Sequence, residues 1–142
     1  MQILDVHVII ENSVSLEAGP RGSVTMIAFG GTVSGLIDGV VEPGGVDTQT
    51  VDETGRRRMS ARYMLSGALD PSWGVDGPVR LFVENDGSFA DGNVVFPFHT
   101  VPTFLTDCEG LAEYLDSRRW VGEGVFENGE LHIRFYEDGS ME

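Results

Sequence analysis

The sequence predicts an all-β protein: a single antiparallel up-and-down β-barrel of about nine or ten strands, with one short helix near residues 107–117. Three observations predict it. Residues 30–47 place six glycines among β-branched residues, a pattern that suits a sheet bending hard enough to close on itself. Apolar and polar residues alternate in several short segments. Turn signals separate those segments at hairpin spacing, and only one stretch carries helical periodicity.

The elements follow in order. Leu4, Val6, Val8 and Ile10 alternate with Asp5, His7, Ile9 and Glu11, which is strand periodicity. Glu11-Asn12-Ser13 reads as a turn into a second short strand, residues 14–17, and Gly19-Pro20-Arg21-Gly22 as another turn. Residues 23–34 form a strand with Val24, Met26 and Ala28 on one face and Ile27, Phe29 and Val33 on the other, the composition of a strand covered on both sides. Residues 36–41 follow, closed by Pro43-Gly44-Gly45. Residues 48–52 and 57–66 flank Glu53-Thr54-Gly55-Arg56 as a hairpin. After a loop over residues 67–78, a strand over 79–84 ends at the turn signal Asn85-Asp86-Gly87. Residues 94–106 are extended, but Pro97 and Pro102 ask for an edge or a bulge.

The helix opens at Thr106, whose spacing to Glu109 is that of a capping box. Leu111, Tyr114 and Leu115 share a face, and Arg118 and Arg119 lie where a helix C-terminus favours cations. Residues 120–127 and 130–137 then pair about Asn128-Gly129, a type I′ signature.

The chain has 142 residues and 41% hydrophobic residues, enough for one domain over 1–142 with a real core. Its charge is unusual: 23 acidic residues against nine basic ones, all arginine, for a net charge of -14. Such a surface repels phosphate backbones and anionic headgroups, so neither nucleic acid nor membrane is an expected partner. Cys108 is the single cysteine and can form no intrachain disulfide, which fits a cytoplasmic location. The N-terminus lacks a basic n-region and reads as a strand.

No Walker loop or dinucleotide fingerprint is present, no catalytic motif stands out, and no cofactor is expected. His7, His99 and His132 fall on three separate strands with no metal-ligand spacing, so no metal site is assigned. Arg56-Arg57-Arg58 reads as a solvated hairpin tip with weak ion pairs. Arg62 lies mid-strand beside Tyr63, opposite the face of Met59, Ala61, Tyr63 and Leu65. It points either to water or into a polar lumen where it grips a carboxylate or enolate. Phe96, Phe98 and Phe104 share parity and form either core or the wall of a ligand cavity.

The order of these short motifs resembles a known family. Gly35-Leu36-Ile37-Asp38-Gly39-Val40-Val41-Glu42-Pro43-Gly44-Gly45-Val46-Asp47 is similar to a "G…P-G-G-x-D" element. Ser60-Ala61-Arg62-Tyr63 is similar to a "D-x-R-Y" strand, and Thr100-Val101-Pro102-Thr103-Phe104-Leu105-Thr106 to an "R-T-x-P-x-F-E-T" stretch. Residues 114–124 resemble a "W-L-N…V-G-x-G" ending. All belong to the mostly bacterial family labelled domain of unknown function three-two-three-seven. Here Ser60 replaces an acid, Asp116 an asparagine and His99 a basic residue, and the aromatic after Gly-Gly-x-Asp is missing. The resemblance implies a small up-and-down barrel with one helix, often oligomeric, and no established activity.

The expected function is a small-molecule-binding barrel whose lumen takes an apolar or carbonyl-containing molecule, with Asp47, Arg62, Tyr63, His99 and Phe104 as its binding residues. No residue is assigned a catalytic role on this reading. A second reading is an isomerase, cyclase or lyase in which Arg62 stabilises an oxyanion and Asp47 or His99 moves a proton. A third is a structural protein, a homo-oligomer without a ligand.

Overall fold

In the computed structural model, which describes residues 1–139, nine strands close into one antiparallel barrel. They are β1 (Gln2–Gly19), β2 (Gly22–Gly35), β3 (Ile37–Val41), β4 (Gly45–Asp52), β5 (Arg57–Leu69), β6 (Val79–Phe89), β7 (Phe98–Thr106), β8 (Trp120–Glu127) and β9 (Glu130–Glu137). Helix α1 (Glu109–Asp116) joins β7 to β8, and a short 3-10 turn, Pro71–Trp73, lies between β5 and β6. Apart from β3 and β4, which do not pair with each other, each strand pairs with its chain neighbours, and β1 pairs with both β2 and β9, which closes the ring. β3 and β4 occupy one position, both lying between β2 and β5. Glu42-Pro43-Gly44 interrupts that position, because proline has no N–H to give to the ladder.

Close approach explains the glycines here. Gly39 sits opposite Gly67, and a Cβ on either would meet the backbone of the other strand. Asn128 and Gly129 have φ of 52° and 77°, so the β8–β9 hairpin turns as type I′, matching the twist of its strands.

Four local expectations are overturned. Glu11-Asn12-Ser13 is no turn: β1 runs through it and absorbs one extra residue as a bulge between Ile10 and Ser13 against β2. Asn85-Asp86-Gly87 is no turn either. It stays in the ladder against Ala61, Ser60 and Met59, because pairing along β5 outweighs the local turn preference. β2 is covered on one face only; Phe29 and Val33 are buried while Met26 is 45% exposed. The N-cap position of the helix is Cys108, which makes no side-chain cap bond, rather than Thr106. The Thr106 hydroxyl donates to the Arg80 carbonyl (2.7 Å) and accepts from the Cys108 N–H (3.2 Å), so it fastens the helix entrance to β6.

Pro102 keeps the edge character expected of it, since β7 pairs with β8 only from Phe98 to Thr100. The barrel divides into two layers along its axis. Leu4, Val6, Ile37, Leu65, Leu81 and Phe135 fill one half, and Leu111 and Leu115 of α1 plug its end. Trp120 joins that core and donates its indole N–H to the Leu115 carbonyl (2.9 Å). The other half stays open.

Candidate functional site

The open half holds a cavity of about 330 Å³, within the usual range for small-molecule sites. Strand alternation builds its wall. Past the core pair Leu4 and Val6, the next inward residues of β1 are Val8 and Ile10. β2 adds Ile27 and Phe29, β5 Met59, Ala61 and Tyr63, β7 Phe98, and β9 Leu131 and Ile133. The β6–β7 connection folds across the mouth, where Phe96 stacks edge-on against Phe126 with ring centres 4.6 Å apart.

Polar groups interrupt this apolar wall. Asp47, Gln49, Tyr63, Asn85 and Thr100 line the cavity among the apolar residues. Tyr63, Asn85 and Thr100 are 4%, 4% and 3% exposed. Four buried atoms of these lining residues have no hydrogen-bond partner: Asp47 Oδ1, Tyr63 OH, Asn85 Oδ1 and Thr100 Oγ1. A buried polar group left unmatched costs about 1–3 kcal/mol. Gly122, inward on β8, makes room for two of these groups: a Cβ there would collide with Thr100 Oγ1 and crowd Asn85 Oδ1.

Asp47 is held from one side. Its Oδ2 accepts from Gln49 Nε2 at 2.8 Å. Gln49 Oε1 accepts from Arg57 Nη1 at 2.9 Å, and Arg57 Nε donates to the Gly92 carbonyl of the mouth segment at 2.7 Å. Burial pushes the Asp47 carboxyl above the ordinary aspartate range, against the opposing pull of the Gln49 hydrogen bond and the Arg57 charge. Burial likewise pushes the Tyr63 phenol up, with a smaller push from the Asp47 charge.

The structure separates the five residues expected to bind. Asp47 and Tyr63 meet in the lumen. Phe104 points inward but lower, packed on Phe135 and Trp120 with ring centres 5.6 and 6.5 Å away. Arg62 lies on the outer surface, its side chain 65% exposed and paired with Glu84 at 3.0 Å. His99 is also outside, beside Glu123 at 3.5 Å. Both line a broad groove on the outer wall, about 700 Å³ in volume. That groove is larger than the lumen cavity, but Arg62 and His99 there already pair with Glu84 and Glu123; Ser60, whose Oγ is the fifth unpartnered buried atom, lines it. His7 and His132 stack on each other with ring centres 5.1 Å apart, and His132 also contacts Asp5 at 2.8 Å. Among the described residues no group of three His, Cys, Asp or Glu could hold a metal ion.

Asn85, Thr100, Gln49 and Arg57 were not singled out as site residues. Asn85 was hidden by its turn-like neighbours. Thr100 carried a signal, as the one polar residue on the inward stripe of Phe96, Phe98 and Phe104. Arg57 is no solvated tip residue but the half-buried end of the Asp47 chain.

A model for a family described as "Protein of unknown function (DUF3237)" matches residues 2–137. The chain belongs to the DUF3237 family. A UPF0311 protein of Clostridium acetobutylicum is 30% identical over 124 residues, covering 76% of this chain and 67% of that protein. The crystal structure of a protein of unknown function from the same species has a TM-score of 0.73 at 25% identity, covering 96% of both chains. The structure of an enzyme from Penicillium herquei has a TM-score of 0.66 at 16% identity, covering 96% of this chain and 92% of that one. It shows that this DUF3237 chain shares its fold. Among the described residues, no helix is long and apolar enough to cross a membrane.

Proposed function

We propose that this DUF3237 barrel binds a small, largely apolar molecule carrying a hydroxyl or carbonyl group in the open half of its lumen. One observation carries the reading: the four unpartnered buried polar atoms all belong to residues that line the same apolar cavity. Apolar walls with a few convergent polar groups are the usual construction of a ligand site. Asp47 Oδ1 accepts from a ligand hydroxyl. The Tyr63 and Thr100 hydroxyls donate to a carbonyl. An anionic ligand is disfavoured, because Asp47 would repel it and the whole chain carries a net charge of -14. A lumen packed along its full length would favour the purely structural reading; the cavity favours a ligand.

2-Naphthol, which joins an apolar body to one hydroxyl, tests this by fluorescence titration. Ala61→Trp fills the lumen and is expected to abolish binding, while Arg62→Ala, on the outer wall, is expected to leave it unchanged. Equal binding by Ala61→Trp and the parent protein, or loss only in Arg62→Ala, contradicts the lumen as the site.

A further inference from the structure

We infer that the lumen is a proton-transfer site, with the carboxylate of Asp47 as its general base. The inference rests on the binding reading above and goes beyond it to an activity. Its ground is the asymmetry of the carboxylate. One oxygen is tied back by Gln49, which Arg57 holds in turn. The other is buried without a protein partner, on a residue that lines the cavity. A base needs that arrangement: a fixed orientation and a free lone pair, reached through a desolvated pocket. The Tyr63 and Thr100 hydroxyls belong to residues that line the same cavity, and they can donate to charge that develops on a substrate oxygen.

Three polar side chains of the site are more than nine-tenths buried, so bulk water competes poorly for the developing oxyanion. Asp47 takes a proton from a carbon or oxygen of the substrate. The electron pair left behind shifts onto a carbonyl oxygen, where the hydroxyls stabilise it. The proton then returns from Asp47 to another atom of the same molecule. The net change is an isomerisation or ring closure, with no redox partner or co-reactant. Burial helps by raising the basicity of Asp47. Arg62 and His99 take no part, since both lie on the outer wall. Arg57 and Gln49 are positioning residues.

A base of this kind can be tested without its natural substrate. 5-Nitro-1,2-benzisoxazole opens when a base removes its C3 proton: the C–H electron pair becomes part of a nitrile, the N–O bond breaks, and a coloured phenolate leaves. Asp47 then releases the proton to water. Saturable turnover is expected, reduced roughly a hundredfold or more in Asp47→Asn and lost in Ala61→Trp, but unchanged in Arg62→Ala. Ile27 on β2 and Ala61 on β5 are the register partners of Asp47, and Tyr63 and Arg57 on β5 interact with its charge. Tyr63 and Arg57 are the titratable or charged ones among them. Removing the Arg57 charge in Arg57→Gln therefore moves the rising limb of the pH–rate profile to higher pH, which a merely structural role would not do.

Probe binding is read separately, by methyl NMR shifts in the parent protein and in Asp47→Asn, whose folding is checked by thermal melting. Probe seated in the lumen without saturable turnover, or turnover equal in Asp47→Asn, overturns the base and leaves the binding reading standing. Probe that does not enter the lumen overturns both.

Discussion

At the residue scale, Asp47 concentrates the tension in this molecule. It is a carboxylate turned toward an apolar cavity, and burial holds its pKa above the ordinary value of about 3.9. A raised pKa in the folded state means that folding takes up protons. The stabilisation is complete below the unfolded-state pKa and is lost as pH rises through the folded-state value. Near neutral pH the native protein thus carries a buried charge that Asn would not. Asp47→Asn is expected to raise the melting temperature at pH 7, with the gain shrinking toward pH 3. A calorimetric series across that range checks it; a gain independent of pH contradicts the assignment. The sequence already held the outward placement of Arg62. Met59, Ala61, Tyr63 and Leu65 claim the inner face of β5, and strand alternation leaves Arg62 to water. The same argument on β7 sends His99 outward between Phe98 and Thr100. Asn85 could not be found this way, because Asn-Asp-Gly is a turn by composition and a ladder segment only by its pairing with β5.

At the element scale, alternation and turn chemistry made the strands legible. The β4–β5 and β8–β9 hairpins begin and end where their turn residues place them. Long-range pairing was less legible: β1 and β6 each run past a local stop signal because a neighbouring strand offers hydrogen bonds beyond it. Helix α1 serves as the plug of the packed half. Trp120 locks that plug, stacking on Tyr114 and Phe104 and bonding to Leu115. Trp120→Ala is expected to cost about 3–5 kcal/mol, read from denaturant midpoints; an unchanged midpoint would refute this role. The β3–β5 seam depends instead on having no side chains where the strands approach. Gly67→Ala places a methyl against the backbone of Asp38 and Gly39. About 1–3 kcal/mol of destabilisation is expected from such overpacking, measured the same way, and a neutral substitution would show that the seam has slack.

At the scale of the whole molecule, the barrel is divided between stability and function along its axis. The packed half carries the core and the helix. The open half gives up some of that packing and leaves buried polar atoms unpartnered on residues that line an apolar space. Protein interiors ordinarily close-pack and satisfy their polar groups, and functional sites are where such rules are broken. The most direct test of this division is a ¹³C-methyl NMR titration with 2-naphthol, because methyl groups sample both halves and both faces. The account predicts shifts at Val8, Ile27, Ala61 and Ile133, which line the cavity, and none at Val14 or Leu105, which are exposed. Shifts confined to Val101 and Val121, on the outer groove with Arg62 and His99, would place the ligand outside the barrel and contradict it.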